Sequence, residues 1–233
     1  MGHMRFLKRT ITKIKQLLGL ELNYRVEFEC TGIDCLGSKK QWNWCICPEG
    51  ISPSSIVYSL GVGRNISFDI AMIEKYQVQI YAFDPTPLSV EWVKSTPVPE
   101  HFHFFDYGIA SFDGTAMLYD NPKHKSQSIR QRPKGKESAI EVRFHKLKTV
   151  MDMLGHEKID ILKMDIEGAE YEVIESLLSS NIQVDQLLVE FHHGKFRDIG
   201  VSETKRIIEE LHRNNFRIFY LSPRQREFSF LKL

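Results

Sequence analysis

Apolar positions between residues 56 and 231 fall into two alternating patterns, short solid runs and spaced helical faces. Ile56-Val57-Tyr58-Ser59-Leu60 is a compact run of the kind a strand buried on both faces requires, and a glycine turn follows it. Asn65 stands where a helix cap is expected, and Ile66, Ile70 and Ile73 share one helical face. Val78 to Phe83 predicts the next strand. Thr86-Pro87 supplies a cap and a first-turn proline for another helix, and His101 to Phe105 predicts a third strand. Ile140 to Phe144 reads as an edge strand and Ile159 to Met164 as a buried one. Ala169, Val173, Ile174, Leu177 and Leu178 then mark a helix face. Gln186 to Phe191 predicts a strand, Ser202 opens a helix carrying Ile207, Ile208 and Leu211, and Phe216–Leu221 with Phe228–Leu231 predict a closing hairpin. Strands alternating with helices predict an α/β domain with a mostly parallel, doubly wound sheet and an antiparallel hairpin at its C-terminal end.

The flanking segments read differently. Phe6, Leu7, Ile11, Ile14, Leu17 and Leu18 alternate with Arg5, Lys8, Arg9, Lys13 and Lys15, which predicts a basic amphipathic helix over residues 5–18. Docking on the domain with a solvated basic face is the expectation, with weak contact to an anionic membrane as the alternative. Residues 21–55 are irregular and carry Trp42, Trp44 and Pro48. The chain therefore divides into residues 1–55, a basic helix with a Cys/Trp segment, and residues 56–233, the α/β domain. Met1-Gly2-His3-Met4 reads as a leader added in cloning. Residues 120–138, rich in Ser, Pro, Lys and Arg, read as a loop or lid over an acceptor site.

Composition narrows the function classes. A length of 233 residues suits one α/β domain, and a formal charge of +1 gives no reason to expect nucleic acid as a partner. No apolar run approaches the ~20 residues that cross a bilayer, and a cytoplasmic location is the expectation. Cys30, Cys35, Cys45 and Cys47 cluster in one stretch. Their spacing lacks the paired C-x2-C units of a zinc site, so free thiols in a reducing compartment are expected, with disulfides as the alternative for a secreted chain.

Two constellations carry candidate chemistry. Ser59-Leu60-Gly61-Val62-Gly63-Arg64-Asn65 joins the first regular strand to a helix, where glycines let backbone amides approach a ligand. The second strand ends in Phe83-Asp84, an acid placed to accept hydrogen bonds from the ribose of a nucleoside cofactor. A dinucleotide fingerprint wants a third glycine near residue 66, where this chain has Ile66. S-adenosyl-L-methionine has no pyrophosphate and does not need it, so a methyl donor is favoured over NAD. The second constellation, Lys163-Met164-Asp165-Ile166-Glu167-Gly168-Ala169-Glu170, closes a strand and opens a helix. It sets carboxylates at the carboxyl end of the sheet, where open α/β proteins bind ligands.

Leu162 to Glu170 resembles the signature of the FkbM-type methyltransferases. Tyr58 to Gly63, Ser67-Phe68-Asp69, Tyr81 to Pro85, and Leu154-Gly155-His156 before Ile159-Asp160 resemble the methyltransferase-like branch of that family. Gly63-Arg64-Asn65, where most members have Asn-x-Gly, fits that branch. The resemblance covers about residues 56–221 and implies a Rossmann-like class I fold, S-adenosyl-L-methionine as cofactor, and O-methylation of a small molecule or sugar. It implies that Gly61 and Gly63, with Arg64 and Asn65 beside them, pass under the methionine part. It further implies that Asp84 holds the ribose, that Asp106-Tyr107-Gly108 border the adenine, and that Asp165 lies near the sulfonium and the acceptor. Candidate proton acceptors are Asp165, Glu167, His192 and His193, with His192 favoured because histidine titrates near neutrality. No ligand spacing compels a metal, although Asp165, Glu167 and His192 together suit a divalent ion. An NAD-dependent oxidoreductase and a non-catalytic adenosylmethionine-binding interaction module are the competing readings.

Overall fold

A computed structural model describes residues 21–38, 42–121, 126–130, 138–196 and 198–233. The helix expected over residues 5–18 lies outside the described residues. In chain order the elements are β1 (Asp34–Ser38), β2 (Trp42–Ile46), β3 (Ile56–Leu60), α1 (Ser67–Tyr76), β4 (Gln79–Phe83) and α2 (Pro87–Lys94). There follow β5 (Phe102–Phe105), β6 (Gly108–Ala110), β7 (Gly114–Asn121), β8 (Ser126–Ser128), β9 (Ala139–Lys146) and α3 (Leu147–Leu154). The chain closes with β10 (Lys158–Met164), α4 (Glu170–Ser179), β11 (Gln183–Glu190), α5 (Val201–Arg213), β12 (Phe216–Leu221) and β13 (Glu227–Lys232).

Seven strands form the central sheet in the order β12-β13-β11-β10-β3-β4-β5. Every pairing from β11 to β5 is parallel, and β13 inserts antiparallel between β11 and β12. The solid apolar runs are explained by this arrangement, because both faces of the sheet are covered. Leu147, Val150, Ile174, Leu177, Ile207, Ile208 and Leu211 bring α3, α4 and α5 onto one face. Phe68, Met72, Ile73 and Val93 bring α1 and α2 onto the other. Helix α1 has no side-chain cap hydrogen bond; Ile66 is its first flanking residue, and Asn65 Oδ1 accepts the amide of Ser67 at 3.1 Å. Burial of Phe68, Met72 and Ile73, about 1.5–3 kcal/mol each, outweighs the roughly 1 kcal/mol that a cap contributes.

Three features depart from the pattern-based reading. Residues 139–146 are no edge strand: β9 pairs with both β6 and β7 inside a second sheet, order β6-β9-β7-β8, and β6 and β7 were not legible in the apolar pattern. The segment before residue 55 holds an antiparallel hairpin, β1–β2, packed on the same face as α1. Gln186 clamps it through both amide atoms, accepting from Cys47 N at 2.8 Å and donating to Cys47 O at 2.6 Å, while Ser229 Oγ donates to Cys45 O. Finally, the cysteines are not free thiols. Cys30–Cys47 and Cys35–Cys45 form disulfides, the second joining residues directly opposite across the hairpin. Sequence spacing missed this because the pairing depends on strand register.

No helix among the described residues is long and apolar enough to cross a membrane.

Candidate active site

Strands β3 and β10 are neighbours at the centre of the sheet, and their connections run to opposite sides: β3 leads to β4, β10 to β11. Such a switch point leaves a crevice at the carboxyl ends of the strands. Gly61 leaves β3 with φ +78° and Asp165 leaves β10, and the two touch. A Cβ at Gly61 would come within 1.8 Å of the Asp165 carbonyl oxygen, so no side chain fits there. Backbone bonds lock the crossing, Asp165 N to Leu60 O and Gly61 N to Phe83 O, both 2.9 Å.

A cavity of about 240 Å³ opens at this point. The predicted residues Gly61, Gly63, Arg64, Asn65, Asp84, Gly108, Asp165 and Glu167 all line it, with Phe144 and Leu118 of the second sheet forming a wall. Asp106 does not; its carboxylate is exposed and faces Lys94 at 3.8 Å. Tyr107 does not line the cavity either, and its ring packs against Phe83, Phe105 and His145. Of the segment predicted to border an adenine, only Gly108 reaches the cavity.

Asp84 is buried rather than rim-exposed, and its carboxylate is already engaged. Oδ2 accepts the amides of Val62 and Gly63 at 3.0 and 2.8 Å, and Oδ1 accepts Thr86 N at 2.8 Å. The acid therefore shapes the glycine turn. A carboxylate has about four acceptor positions, so room for a ligand hydroxyl remains on Oδ1. Lys163, which the motif reading did not single out, is buried in the floor: Nζ donates to Gly61 O at 3.0 Å and lies 5.2 Å from the Trp44 ring centre. Beneath it, burial raises the pKa of Asp69, with Lys163 and Ser59 opposing.

On the far side of Asp165 lies a cluster of acids and one imidazole. His192 is 5% exposed, and its Nδ1 meets Glu170 Oε1 at 2.8 Å. Its Nε2 stands 3.7 Å from Asp165, 3.8 Å from Glu167 and 3.9 Å from Glu190. Glu170 also accepts the amides of Ile166 and Gly168, which ties the α4 entry turn to the imidazole. Burial disfavours charge on His192, but the facing carboxylates, Glu170 foremost, outweigh it and raise its pKa to about 9. Burial likewise raises the carboxyls of Asp165 and Glu190. The acids around His192 therefore favour a proton on the imidazole, a setting that spacing alone does not reveal. His193 turns away: Nδ1 meets Thr204 Oγ1 at 3.3 Å beneath α5, and burial with Arg226 nearby lowers its pKa to about 4. The two adjacent histidines lie where the chain leaves β11 for a turn closed by Lys195 N to His192 O, and they face different surroundings.

Glu190 was missed by the sequence reading. The register pairs Met164 with Val189, so Asp165 and Glu190 emerge at one level on neighbouring strands; only that pairing exposes the relationship. Residues 126–130, part of the predicted lid, are fastened to the same place. Ser128 Oγ donates to Glu167 O at 2.6 Å, and Arg130 Nε donates to Gly168 O at 2.8 Å while its guanidinium pairs with Glu172 and Asp198. Residues 122–125 and 131–137 of that segment lie outside the described residues. Glu167 holds φ +55° and pairs with Lys195, an uncommon backbone conformation for a non-glycine residue beside a cavity.

Parallel strands ordered outward from β3 and β10, finished by the antiparallel β13, give the Rossmann-like methyltransferase fold, with its ligand crevice where the glycine turn meets Asp165. The chain belongs to the FkbM methyltransferase family: residues 48–218 match the methyltransferase FkbM domain. It is 29% identical over 174 residues to the Homo sapiens protein named probable methyltransferase-like protein 24, and 27% identical to the Rattus norvegicus protein of that name. Each alignment covers 70% of this chain and 42% of the relative, so the chain spans about two-fifths of their length. Among solved structures, the Methanococcus jannaschii fibrillarin pre-rRNA processing protein aligns with a TM-score of 0.46 and 11% identity, covering 88% of this chain and 84% of that one.

Proposed function

We propose that the chain transfers a methyl group from S-adenosylmethionine to a hydroxyl oxygen of a small molecule or sugar. The observation that carries this reading is the shared position of Asp165, which lines the donor cavity on one side and borders the acid–imidazole cluster on the other. The cavity suits the donor. Ser67 Oγ is buried in its wall without a hydrogen-bond partner among the described residues, and a Cβ at Gly63 would meet nothing within 4 Å. When bound, the donor supplies a sulfonium methyl, whose bond pair stays with sulfur as the acceptor oxygen forms the new C–O bond.

The protein's own contribution is alignment and proton removal. Gly61 and Gly63 offer backbone to the donor, and Ser67 and the spare Asp84 acceptor position offer hydrogen bonds. Asp165 and Glu167 face the acceptor side and take its proton, with the His192 ring beside both carboxylates. The cytoplasmic expectation is replaced by a proposal of an oxidising compartment, supported by the two disulfides.

A methyl-transfer assay with labelled donor against sugars, phenols and peptides tests the reading. Glu167→Gln should lower turnover by about 10²–10⁴-fold with donor affinity unchanged, the range for losing a general base. Asp165→Asn should impair both. Tight NAD binding without adenosylhomocysteine binding would overturn it.

A further inference from the structure

We propose that Asp165, Glu190 and His192 form a binding site for one divalent cation, beside the donor cavity on its acceptor side. The three residues offer ligand atoms that all lie within 4.8 Å of one another. Asp165 and Glu190 stand level at the ends of the adjacent strands β10 and β11, and His192 follows two residues beyond β11. The strand pairing holds the two acids, and the Glu170 contact holds the imidazole.

The imidazole carries the argument. His192 is 95% buried, and Glu170, itself fully buried, fixes Nδ1 at 2.8 Å. Nε2 is thereby aimed at the acids, yet among the described residues it makes no hydrogen bond of normal length; its oxygen neighbours stand at 3.7–3.9 Å. That separation is too long for a direct N–H···O bond, which runs about 2.7–3.2 Å. It is a few tenths of an ångström longer than the edge of about 3.3–3.6 Å between tetrahedral ligands each held about 2.0–2.2 Å from one ion, so a small inward movement seats the ion. A carboxylate gripping the remote nitrogen is also the arrangement that orients a histidine ligand and raises its basicity. Mixed imidazole and carboxylate donors suit a first-row divalent ion such as Mn²⁺ or Zn²⁺ better than Ca²⁺, which prefers six to eight oxygens.

Glu167 is left out of the set because its carboxylate is paired with Lys195. The cluster is acidic on three sides, and the cations near it, Lys163 and Lys195, are directed to Gly61 O and Glu167 respectively. Neither one meets Glu190. A cation here would lower the pKa of a hydroxyl bound to it and would favour an acceptor with two adjacent oxygens, such as a vicinal diol. This use of the ion rests on the proposed methyl transfer; the binding site itself does not.

Mn²⁺ titrated into the full chain, followed by loss of the free-ion EPR signal, reads binding without turnover. The expected result is one site per chain, with pulsed EPR detecting a single directly bound imidazole nitrogen. Glu190→Gln and His192→Gln should abolish it, and Glu170→Gln should weaken it by about 10–100-fold, as loss of a ligand's outer partner does. His193→Gln should leave it unchanged. No nitrogen coupling in the unmodified protein, or undiminished binding in both Glu190→Gln and His192→Gln, would overturn the site. Adenosylhomocysteine affinity measured in parallel separates this outcome from failure of the donor site, since Mn²⁺ binding without nucleoside binding leaves the cation proposal standing alone.

Discussion

Replacing Asp84 with alanine removes the acceptor of three backbone amides at once. Bonds from Val62, Gly63 and Thr86 to its carboxylate are 3.0, 2.8 and 2.8 Å long. Hydrogen bonds to a charged group contribute about 1.5–3 kcal/mol each when nothing replaces the partner. Gly63 and Thr86 border the cavity, so water recovers much of their share. The Val62 bond is buried, and its orphaned amide costs about 1–3 kcal/mol. A total loss of roughly 2–4 kcal/mol follows. At about 2–4 °C per kcal/mol for a chain of this size, Tm should fall by on the order of 10 °C. Asp84→Asn keeps one acceptor oxygen and should lose about half as much. Urea denaturation gives the stability change, and calorimetric titration with adenosylhomocysteine gives the donor affinity of the folded fraction. An Asp84→Ala protein that unfolds at the unmodified midpoint would refute the reasoning. If donor affinity alone fell, the residue would be a ribose ligand and not a strut of the turn.

Gly61→Ala should abolish adenosylhomocysteine binding and lower stability, since its Cβ would overlap the Asp165 carbonyl and its φ is +78°; a calorimetric isotherm like that of the unmodified protein would contradict the packing. Peptide mapping of the unreduced protein should find Cys30 joined to Cys47 and Cys35 to Cys45, with no alkylatable thiol. Reducing them should cost about 2–4 kcal/mol per crosslink, and the two together less than the sum because their loops are nested; a reduced protein with unchanged stability would refute this.

The inner strands of the central sheet were legible because they are buried on both faces and so read as solid apolar runs. Val57, Tyr58 and Leu60 in β3 and Ile161, Leu162 and Met164 in β10 are fully enclosed. The second sheet was not legible for the opposite reason. In β9 only Phe144 is buried, so Ile140 and Val142 give a weak alternation, and β6 is three residues long. At the site, Gly61, Asp84 and Asp165 could be placed by their position after strands, but not by partner. Spacing could not reveal that Asp84 would be engaged by its own turn, or that His192 and His193 would face different surroundings. Glu190 stayed hidden at the end of Leu187-Leu188-Val189, where an acid is an ordinary strand terminus; its meaning depends on which strand lies alongside.

The contact between Gly61 and the Asp165 carbonyl also bears on how the crevice comes into being. The two residues are separated by about a hundred positions, and the contact closes only when β3 and β10 pair, a non-local step that carries the entropy of closing that long loop. Until then the glycine turn lacks the neighbour that closes the crevice on the β10 side. A fragment ending before β10 would keep the glycine turn, α1 and β4, yet would lose the part of the cavity formed by Lys163, Asp165, Ile166, Glu167 and Ala169. The cavity is therefore closed only late, by the same long-range pairing that brings Asp165 against Gly61.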